Sequence, residues 1–350
     1  MTVSRVVNHK GETSEATRER VERAIHTLGY RPNRLARALS VQETRTLGLV
    51  VPDIGNPFFA ELIRGAEDEA WRRGYALMIG STVEDQEREA HTLELLEERH
   101  VDGVIVCSSR LPGAQLSGLL ERHRSALLFN RVLERGAPEA LVGTLGVDDA
   151  HGAMRAVHHL LSQRQLPGRG QPQIGMVAGP AASHSRRRRE HGYRTALETT
   201  GNEIVASRIV SCSPDEAGGF EATRALLGAH PELGGLFCYN DLVAVGALQA
   251  CAALGLRVPD DVAVVGCDDI RLASLVTPAL TTLYVDKQAL GRHAVTLLLD
   301  RRAAERTSER RSGTSAESAQ SGPATPEADS DAAPRDVTIK PELVVRASAP

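Results

Sequence analysis

The amino-acid sequence predicts an α/β protein with two similar doubly wound parallel-sheet lobes that follow a small all-α head. From residue 46 onward, short β-branched runs alternate with segments of helical periodicity. The runs are apolar throughout, which is typical of parallel strands covered by helices on both faces. About ten strands are too many for one comfortable doubly wound sheet. We therefore expect two lobes, with a ligand cleft beyond the carboxyl ends of their strands.

The strands and helices of these lobes can be located one by one. The predicted strands are TLGLVV (46–51), ALMIGST (76–82), GVIVCSS (103–109), SALLFN (125–130), QIGMVAG (173–179), GLFCYN (235–240) and VAVVGCDD (262–269). The clearest helices are PFFAELIRGAEDEAWRRGY (57–75), DQEREAHTLELLEERH (85–100) and DLVAVGALQACAALG (241–255). Near residue 340, VTIKPELVVRAS predicts a strand pair that rejoins a lobe.

These elements define the domain organisation. We assign the head to residues 1–45, the first lobe to 46–163 plus 280–302, and the second lobe to 164–279 plus 336–350. Residues 303–335 contain no Leu, Ile, Val, Met or aromatic residue. Such a segment cannot bury enough apolar surface to order itself, so we predict a disordered low-complexity insert there.

Composition narrows the class of protein. The 350 residues are 41% hydrophobic and 25% charged, as in globular proteins with sizeable cores. No run of about 18 apolar residues could cross a bilayer and no signal-like stretch leads the chain, so we predict a cytoplasmic protein without membrane contact. The five cysteines are odd in number, widely spaced and free of any C-x-x-C pattern. They indicate small core residues, and we expect neither metal nor cofactor.

The motifs in the chain do not favour an enzyme. The chain lacks G-x-S-x-G, G-x-x-x-x-G-K-[ST] and H-E-x-x-H, and no G-x-G-x-x-G follows the first strand. Asp148 and Asp149 are adjacent at a strand-to-helix junction, so their carboxylates point apart and do not form a catalytic pair. We therefore predict no catalytic residues.

The head differs from the lobes in charge. Residues 1–45 hold nine Arg and Lys against five Glu, a net charge of +4 that leaves −8 for the remainder. A basic head on an acidic body attracts a polyanion locally, although a solvated pair of charged helices would explain the same numbers.

Two helices are predicted at the start of the head. In TVSRVVN, residues 2–8, three valines recur on one helical face. Ser14 is a good N-cap for a second helix through Leu28, whose apolar residues are spaced to face a core. That face comprises Val21, Ala24, Ile25 and Leu28.

The head resembles the DNA-binding domain of the lactose and galactose repressor family (LacI/GalR). TVSRVVN matches the recognition helix, TRERV the third helix and LGYRPNRLARAL the segment that ends in the hinge helix. The resemblance implies that the recognition helix lies at the major groove, with Arg5 reading guanine, and that Leu39 wedges into a minor-groove step while Ala36 allows close approach. Without the surrounding motif, Leu39 would be an ordinary core leucine. The implied DNA-binding residues are Thr2, Ser4, Arg5, Asn8, Ser14, Thr17, Asn33, Arg34, Ala36 and Leu39, of which Ser14, Thr17 and Asn33 contact phosphates.

The sequence departs from the family at its start. The family's first helix and turn do not precede TVSRVVN, and Met1 occupies the place of a base-reading residue. Without that helix we expect Val3, Val6 and Val7 to be left partly in water, at a cost of about 1.5 kcal/mol or more for each side chain that should be buried. We therefore expect the reading frame to extend upstream. The rival hypothesis is a solute-sensing binding protein that has lost DNA binding because this helix is missing.

The body resembles the core of the same family, which is shared with periplasmic sugar-binding proteins. VVPDIGNPFFAELIRGAEDEAWRRGY, the YND segment at 239–241, LRVPDDVAVVGCDD and TPALTT carry this resemblance. It implies effector-binding residues at Phe58, Phe59, Asn130, Ser183, Ser185, Arg189, Asn240 and Asp268. Where the family often places a second-lobe aromatic residue that stacks on the ligand, this chain has Pro214.

The chemistry of the implied site suits a sugar. An arginine offers a planar fork of donors, an aspartate accepts from vicinal hydroxyls, and an aromatic face covers the apolar side of a sugar ring. Each residue also has an ordinary structural explanation. SRRRRE (185–190) could be a solvated helix face, Asp268 and Asp269 helix caps, and Phe58 and Phe59 core residues of a first helical turn.

The sequence thus predicts a DNA-binding transcriptional regulator, of repressor type, whose operator affinity is controlled by a small metabolite, a sugar, bound between two lobes. A palindromic double-stranded operator needs two recognition helices about one DNA turn apart, so the resemblance implies a homodimer.

Overall fold

The computed structural model describes Val6 and residues 13–28, 43–133, 136–162, 172–315 and 335–350. They belong to two compact units, 1–45 and 46–350. Eight of the ten predicted DNA-binding residues lie outside the described residues, and so does the predicted hinge helix. The eight are Thr2, Ser4, Arg5, Asn8, Asn33, Arg34, Ala36 and Leu39.

The described part of the head is one helix, α1 (Glu15–Thr27), with Ser14 at its N-cap as predicted. The Ser14 hydroxyl does not cap a backbone N–H; it lies 2.8 Å from the Thr17 hydroxyl. The predicted core face is correct for Val21 and Ile25 only in part and wrong for Ala24 and Leu28, which are exposed. Val21 and Ile25 are half-buried, but Leu28 is 79% exposed and no residue of α1 is fully buried. Val6, which we expected to be partly in water, is 4% exposed.

The first lobe is built on a six-stranded parallel sheet in the order β11-β5-β4-β3-β1-β2. Its strands are β1 (Thr46–Val51), β2 (Ala76–Ser81), β3 (Gly103–Cys107), β4 (Ala126–Phe129), β5 (Leu141–Val147) and β11 (Arg335–Ile339). Its helices are α2 (Pro57–Arg72), α3 (Gln86–Glu98), α4 (Gly113–Leu120) and α9 (Lys287–Ser315). Helices α2 and α9 bury one face of the sheet, and α3 and α4 bury the other. Apolar side chains on both faces explain why β1, β3 and β4 are apolar throughout.

The second lobe is built on a four-stranded parallel sheet in the order β7-β6-β8-β9. Its strands are β6 (Gln173–Ala178), β7 (Ile209–Ser211), β8 (Leu233–Cys238) and β9 (Ala263–Val265). Helices α5 (Asp149–Ser162) and α6 (His184–Thr199) cover one face, and α7 (Glu216–Ala229) and α8 (Asp241–Ala253) cover the other. An antiparallel pair, β10 (Thr282–Tyr284) with β12 (Glu342–Val344), completes the body, and two 3₁₀ turns occupy Ala206–Arg208 and Arg271–Ser274. The prediction of two doubly wound α/β lobes is confirmed.

Within the described residues, the chain passes between the lobes three times. It leaves the first sheet after Val147 and enters α5, returns near Val285 to begin α9, and leaves again between β11 and β12. The core in which each side chain packs shows where the chain crosses. Leu283 packs in the second-lobe core, Val285 packs in the first, and Leu343 packs against the second-lobe core again.

These passages correct the lobe boundaries drawn from the sequence. Helix α5 was assigned to the first lobe, but its buried residues join the second-lobe core with Tyr193 and Phe237. The segment 336–350 was assigned to the second lobe, but β11 pairs in parallel with β5 as the edge of the first sheet. The physical reason is that apolar runs of both lobes look alike in sequence, so periodicity does not reveal which sheet a run joins.

The first part of the segment predicted as a disordered insert is helical. Helix α9 continues through Ser315, into the segment predicted as disordered, and residues 316–334 lie outside the described residues. The residues that follow Arg302 are mostly Ala, Arg, Glu and Ser, and the good helix formers among them extend a helix that packing has already nucleated.

Two further predictions concern the cores and membranes. Cys107, Cys238, Cys251 and Cys267 are buried and Cys212 is half-buried, in agreement with their predicted role as small core residues. In the described parts of the chain, every helix is too short or too polar to cross a lipid bilayer.

Candidate functional site

A narrow cleft lies between the two lobes at the carboxyl ends of their strands. Polar and aromatic side chains from both sheets line it. The lining residues are Asn56, Phe58, Phe59, Glu84, Ser108, Arg110, Asn130, Ser185, Arg189, Pro214, Tyr239, Asn240 and Asp268. Ligands of open α/β sheets bind at this edge, because loops with free polar groups converge there. The cleft holds about 30 Å³ of free space as it stands, so the lobes are close together.

Seven of the eight predicted effector residues line this cleft. The eighth, Ser183, is fully buried behind it at the N-cap of α6. Its hydroxyl accepts from the Arg186 backbone N–H at 3.1 Å and lies 2.9 Å from the Tyr239 hydroxyl. Ser183 therefore positions α6 and Tyr239 and does not face the cleft.

The aromatic side of the cleft comes from the first turn of α2. Asn56 caps this helix by accepting from the Phe58 N–H at 3.0 Å, and Pro57 occupies the first turn, where its missing N–H costs nothing. The Phe58 and Phe59 rings meet edge to face at 5.2 Å, and both belong to the first-lobe core. The two explanations offered for these residues, core packing and ligand binding, are thus compatible, since the same rings fill the core and line the cleft.

Arg189 is the central charge of the second-lobe wall. Its Nε donates to Asp149 at 2.8 Å, its Nη1 donates to the Tyr239 carbonyl, and its Nη2 lies 3.7 Å from an Asp268 carboxylate oxygen. The guanidinium carbon also lies 4.9 Å from the centroid of the Tyr239 ring. Burial opposes the charge, but the carboxylates of Asp149 and Asp268 hold the pKa of Arg189 well above its usual value.

Asp268 lies three residues after the end of β9 and has a left-handed backbone conformation, with φ of 116°. Burial raises its pKa to about 6, although Arg189 and Lys287 pull it down. Lys287 is itself buried and donates to the carbonyls of Asp268 at 2.8 Å and Asp269 at 3.0 Å. The loop is therefore fixed by an ammonium group that sequence reasoning missed.

A second buried carboxylate supports this wall. Asp241 accepts from the Ile270 N–H at 2.8 Å and from the Thr282 hydroxyl at 2.5 Å. Burial, and then the neighbouring Asp268, raise the pKa of Asp241 well above its usual value. Because the pKa values of two carboxyl groups are raised here, the net charge at this end of β8 and β9 depends on pH.

The two predicted amide residues are held by backbone groups. Asn240 caps α8 by accepting from the Val243 N–H at 2.8 Å, and its amide nitrogen donates to the Pro214 carbonyl at 3.1 Å. Asn130 accepts from the Val147 N–H at 2.8 Å, where the chain leaves the first sheet. Both amides fix loops around the cleft, and each has further hydrogen-bonding capacity toward it.

The arginine-rich segment 185–190 is divided between two environments. Ser185 and Arg189 are buried at the cleft, whereas Arg187 and Arg188 are exposed. The solvated-face explanation is therefore correct for part of the segment and wrong for Ser185 and Arg189, because one helix face turns toward the lobe interface.

Residues that sequence reasoning missed link the lobes across the cleft. The Arg110 guanidinium forms a double contact with Glu84, at 2.6 and 3.0 Å, and lies beside the Tyr239 phenol of the second lobe. Glu84 follows β2 and Arg110 follows β3, so the rule that sites form at strand ends could have found them. Asn56 and Ser108, which follow β1 and β3, also line the cleft and could have been found by the same rule.

Two family models match the chain. The model for bacterial regulatory proteins of the lacI family matches residues 1–33, and the model for a periplasmic binding protein-like domain matches residues 164–318. The first match covers the head and the second covers the second lobe with α9.

Curated relatives match most of the chain. The HTH-type transcriptional repressor CytR of Escherichia coli (strain K12) is 34% identical over 299 residues, 85% of each chain. The ribose operon repressor of Halalkalibacterium halodurans is 36% identical over 300 residues, 85% of each chain.

Solved structures agree with the sequence matches. A lac repressor dimer bound to operator and the anti-inducer ONPF is 25% identical with a TM-score of 0.78, covering 99% of this chain and 94% of its own. The transcriptional regulator CelR in complex with cellobiose is 28% identical with a TM-score of 0.71, at the same coverage. The matches at the head, the two-lobed body and the identity along 85% of the chain show that this protein belongs to the lacI family of bacterial transcriptional regulators, which pair a helix-turn-helix head with an effector-binding core.

Proposed function

We propose that this protein is a cytoplasmic, homodimeric repressor whose affinity for a palindromic operator is set by a sugar bound in the cleft between the lobes. The observation that carries the proposal is the cleft lining, which combines the Phe58 and Phe59 rings with Arg189, Asn240 and Asp268. An apolar face beside charged and amide groups is the combination that a sugar ring requires. The relatives are in line with it, since one solved regulator holds cellobiose and one curated relative represses a ribose operon.

The geometry also suggests how ligand and DNA are coupled. The cleft holds about 30 Å³, whereas small-molecule sites usually offer 300 Å³ or more, so an effector requires the lobes to move apart or rearrange. The contact of Arg110 with Tyr239 must then give way to contacts with the ligand. A ligand that binds one arrangement of the lobes better than the other shifts their equilibrium, and the shift is reciprocal with operator affinity.

The experiment that tests the proposal is a two-part binding measurement. A panel of mono- and disaccharides is screened by thermal shift, because a ligand at 100 times its dissociation constant stabilises the folded state by about 2.7 kcal/mol. Operator affinity is then measured with and without the ligand found. Asp268→Ala should retain operator affinity and lose the response to ligand. A wild-type chain that binds a sugar but shows no preference for any DNA sequence would support the rival solute-binding hypothesis.

Arg5→Ala is expected to remove sequence preference and keep most of the non-specific DNA affinity. The resemblance assigns Arg5 to a guanine, and a bidentate base contact contributes about 1–3 kcal/mol of discrimination, whereas phosphate contacts are blind to sequence. Fluorescence anisotropy at fixed salt, on a selected operator and a scrambled duplex, measures the ratio of affinities. An unchanged ratio would contradict the role of Arg5.

Ile79→Glu is expected to convert the protein to monomers. β2 is an edge strand of the first sheet, and Ile79 (44% exposed), Val83 (58%) and Leu95 (41%) leave apolar surface around it. We propose that a second copy covers this edge, because exposed strand edges with apolar side chains favour pairing. Light scattering behind a sizing column gives the mass, and a dimer that persists in the variant would move the interface elsewhere.

A further inference from the structure

A second cavity lies beside the cleft and is much larger. It holds about 500 Å³ and is lined by Arg110, Leu111, Pro112, Gly113, Ala114, Arg131, Val132, Leu133, Ala182 and Arg187. It shares only Arg110 with the cleft described above. Its volume lies within the usual range for small-molecule sites, which the cleft does not reach in this arrangement.

The charged residues in the described lining are all positive. Three of the lining residues are arginines, and none of the described residues that line the cavity is acidic. Glu84 offsets Arg110 through a double contact. Arg187 is exposed and, within the described ranges, has no carboxylate at ion-pair distance; its Nη2 lies 3.5 Å from the His184 Nδ1. Burial and the charges of Arg131 and Arg187 lower the pKa of His184.

The start of helix α4 contributes donors to the same place. Pro112 is its N-cap and supplies no side-chain acceptor, so the N–H groups of the first turn have no cap. The buried Arg131 guanidinium is adjacent: a Cβ placed on Gly113 would lie 3.8 Å from the Arg131 Nη2, which donates to the Leu111 carbonyl at 3.1 Å. A helix N-terminus next to a buried guanidinium favours an anion by two independent effects.

The remaining lining is apolar. Leu111 is buried, Leu133 is half-buried, and Val132 is 45% exposed at the cavity wall. Free inorganic anions gain nothing from such surface, whereas an organic anion buries its carbon atoms there.

We propose that this cavity is a second ligand site, for a small organic anion whose phosphate or carboxylate group lies at the N-terminus of α4 with Arg131 and Arg187. Its walls come from both lobes, because residues 110–133 belong to the first and Ala182 and Arg187 to the second. A ligand here would stabilise the observed arrangement of the lobes and so act as a second effector. The site does not depend on a sugar binding in the cleft.

Calorimetric titration of the full chain with phenyl phosphate, benzoate and benzyl alcohol tests the site. We expect saturable binding of one or both anions and none of the alcohol, which shares their ring but lacks the charge. Tighter binding of phenyl phosphate identifies a phosphate ester as the natural class, and tighter binding of benzoate identifies a carboxylate. Absence of saturable binding by both anions would overturn the proposal.

Two matched pairs of variants locate the binding. Ala114 is exposed in the first turn of α4, so Ala114→Glu places a negative charge in the cavity at a position where helices tolerate it well. We expect Ala114→Glu to weaken the anion about tenfold relative to the neutral Ala114→Gln, with equal thermal midpoints. Arg187→Gln should weaken it relative to Arg186→Gln, because Arg186 pairs with Glu190 and does not line the cavity. Equal affinities within both pairs would place the anion elsewhere and overturn the proposal.

Discussion

Arg189→Met is expected to reduce the free energy of unfolding by about 3–5 kcal/mol, because it removes one partner from a buried ion cluster. Asp149 and Asp268 are both buried and both lie within ion-pair distance of Arg189. The variant leaves two carboxylates that have lost their hydration and their cation, and the Tyr239 carbonyl loses its donor as well. Urea unfolding at pH 7, followed by circular dichroism, gives the difference.

The neighbouring residue provides the control. Arg188 is 44% exposed and lies 3.4 Å from Asp148, so Arg188→Met removes the same charge from a solvated pair. We expect a loss of less than about 1 kcal/mol. Adding Asp149→Asn to Arg189→Met should recover part of the stability, because one uncompensated carboxylate is then neutral. Similar losses for Arg188→Met and Arg189→Met would show that the cluster is solvated.

Asp268 is expected to make stability fall as the pH rises from 4 to 7. Burial raises the pKa of its carboxyl to about 6 in the folded state, and the unfolded chain titrates near the ordinary value of 3.8. The folded state therefore holds the proton more tightly. Its contribution is fully present below the unfolded pKa and is lost as the pH rises through about 6. A difference of about two pKa units corresponds to about 3 kcal/mol.

The measurement compares the wild type with Asp268→Asn, which keeps the shape of the side chain and does not titrate. The stability of the wild type minus that of the variant should fall by about 2 kcal/mol between pH 4 and pH 7, because part of the contribution is already lost at pH 4, just above the unfolded pKa. Carboxylates that do not interact with Asp268 change both proteins equally, and the coupling of Asp241 to Asp268 is part of the measured difference. A carboxylate that changes both equally is Glu69, whose hydrogen bond with Arg72 lowers its pKa to about 2 despite burial. Both proteins therefore lose the stability that Glu69 contributes as the pH falls toward this value. A difference that stays constant or rises over this range would contradict the assignment to Asp268.

Much of the fold could be predicted from hydrophobic patterns. Buried parallel strands are apolar on both faces, so β1, β3 and β4 stand out as continuous runs in the sequence. The short β7 carries half-buried residues and no continuous apolar run, so periodicity gave no signal for it. Local patterns also could not show which lobe a strand joins, since β11 pairs with β5, which lies nearly two hundred residues earlier in the chain.

The candidate site divides in a similar way. The family resemblance supplied Phe58, Arg189 and Asp268, whose side chains do line the cleft. It could not supply Arg110 or Lys287, because their importance comes from contacts with Glu84 and Asp268, which lie 26 and 19 residues earlier on other loops. Ser183 was misjudged for a related reason. A serine at a helix N-cap is recognisable in sequence, but the direction of its hydroxyl depends on Tyr239, 56 residues later.

The three passages between the lobes constrain how the protein is made on the ribosome. The first sheet lacks its edge strand β11 until residues 335–339 have emerged, and the second lobe lacks its contacts with Ser348 and Ala349 until still later. The second lobe therefore cannot finish folding until Ser348 and Ala349 have emerged, and the first sheet gains its edge strand only shortly before them. Both must remain incomplete for most of synthesis, and codon usage or chaperone supply late in the message should influence the yield of native protein more than the same changes near its beginning.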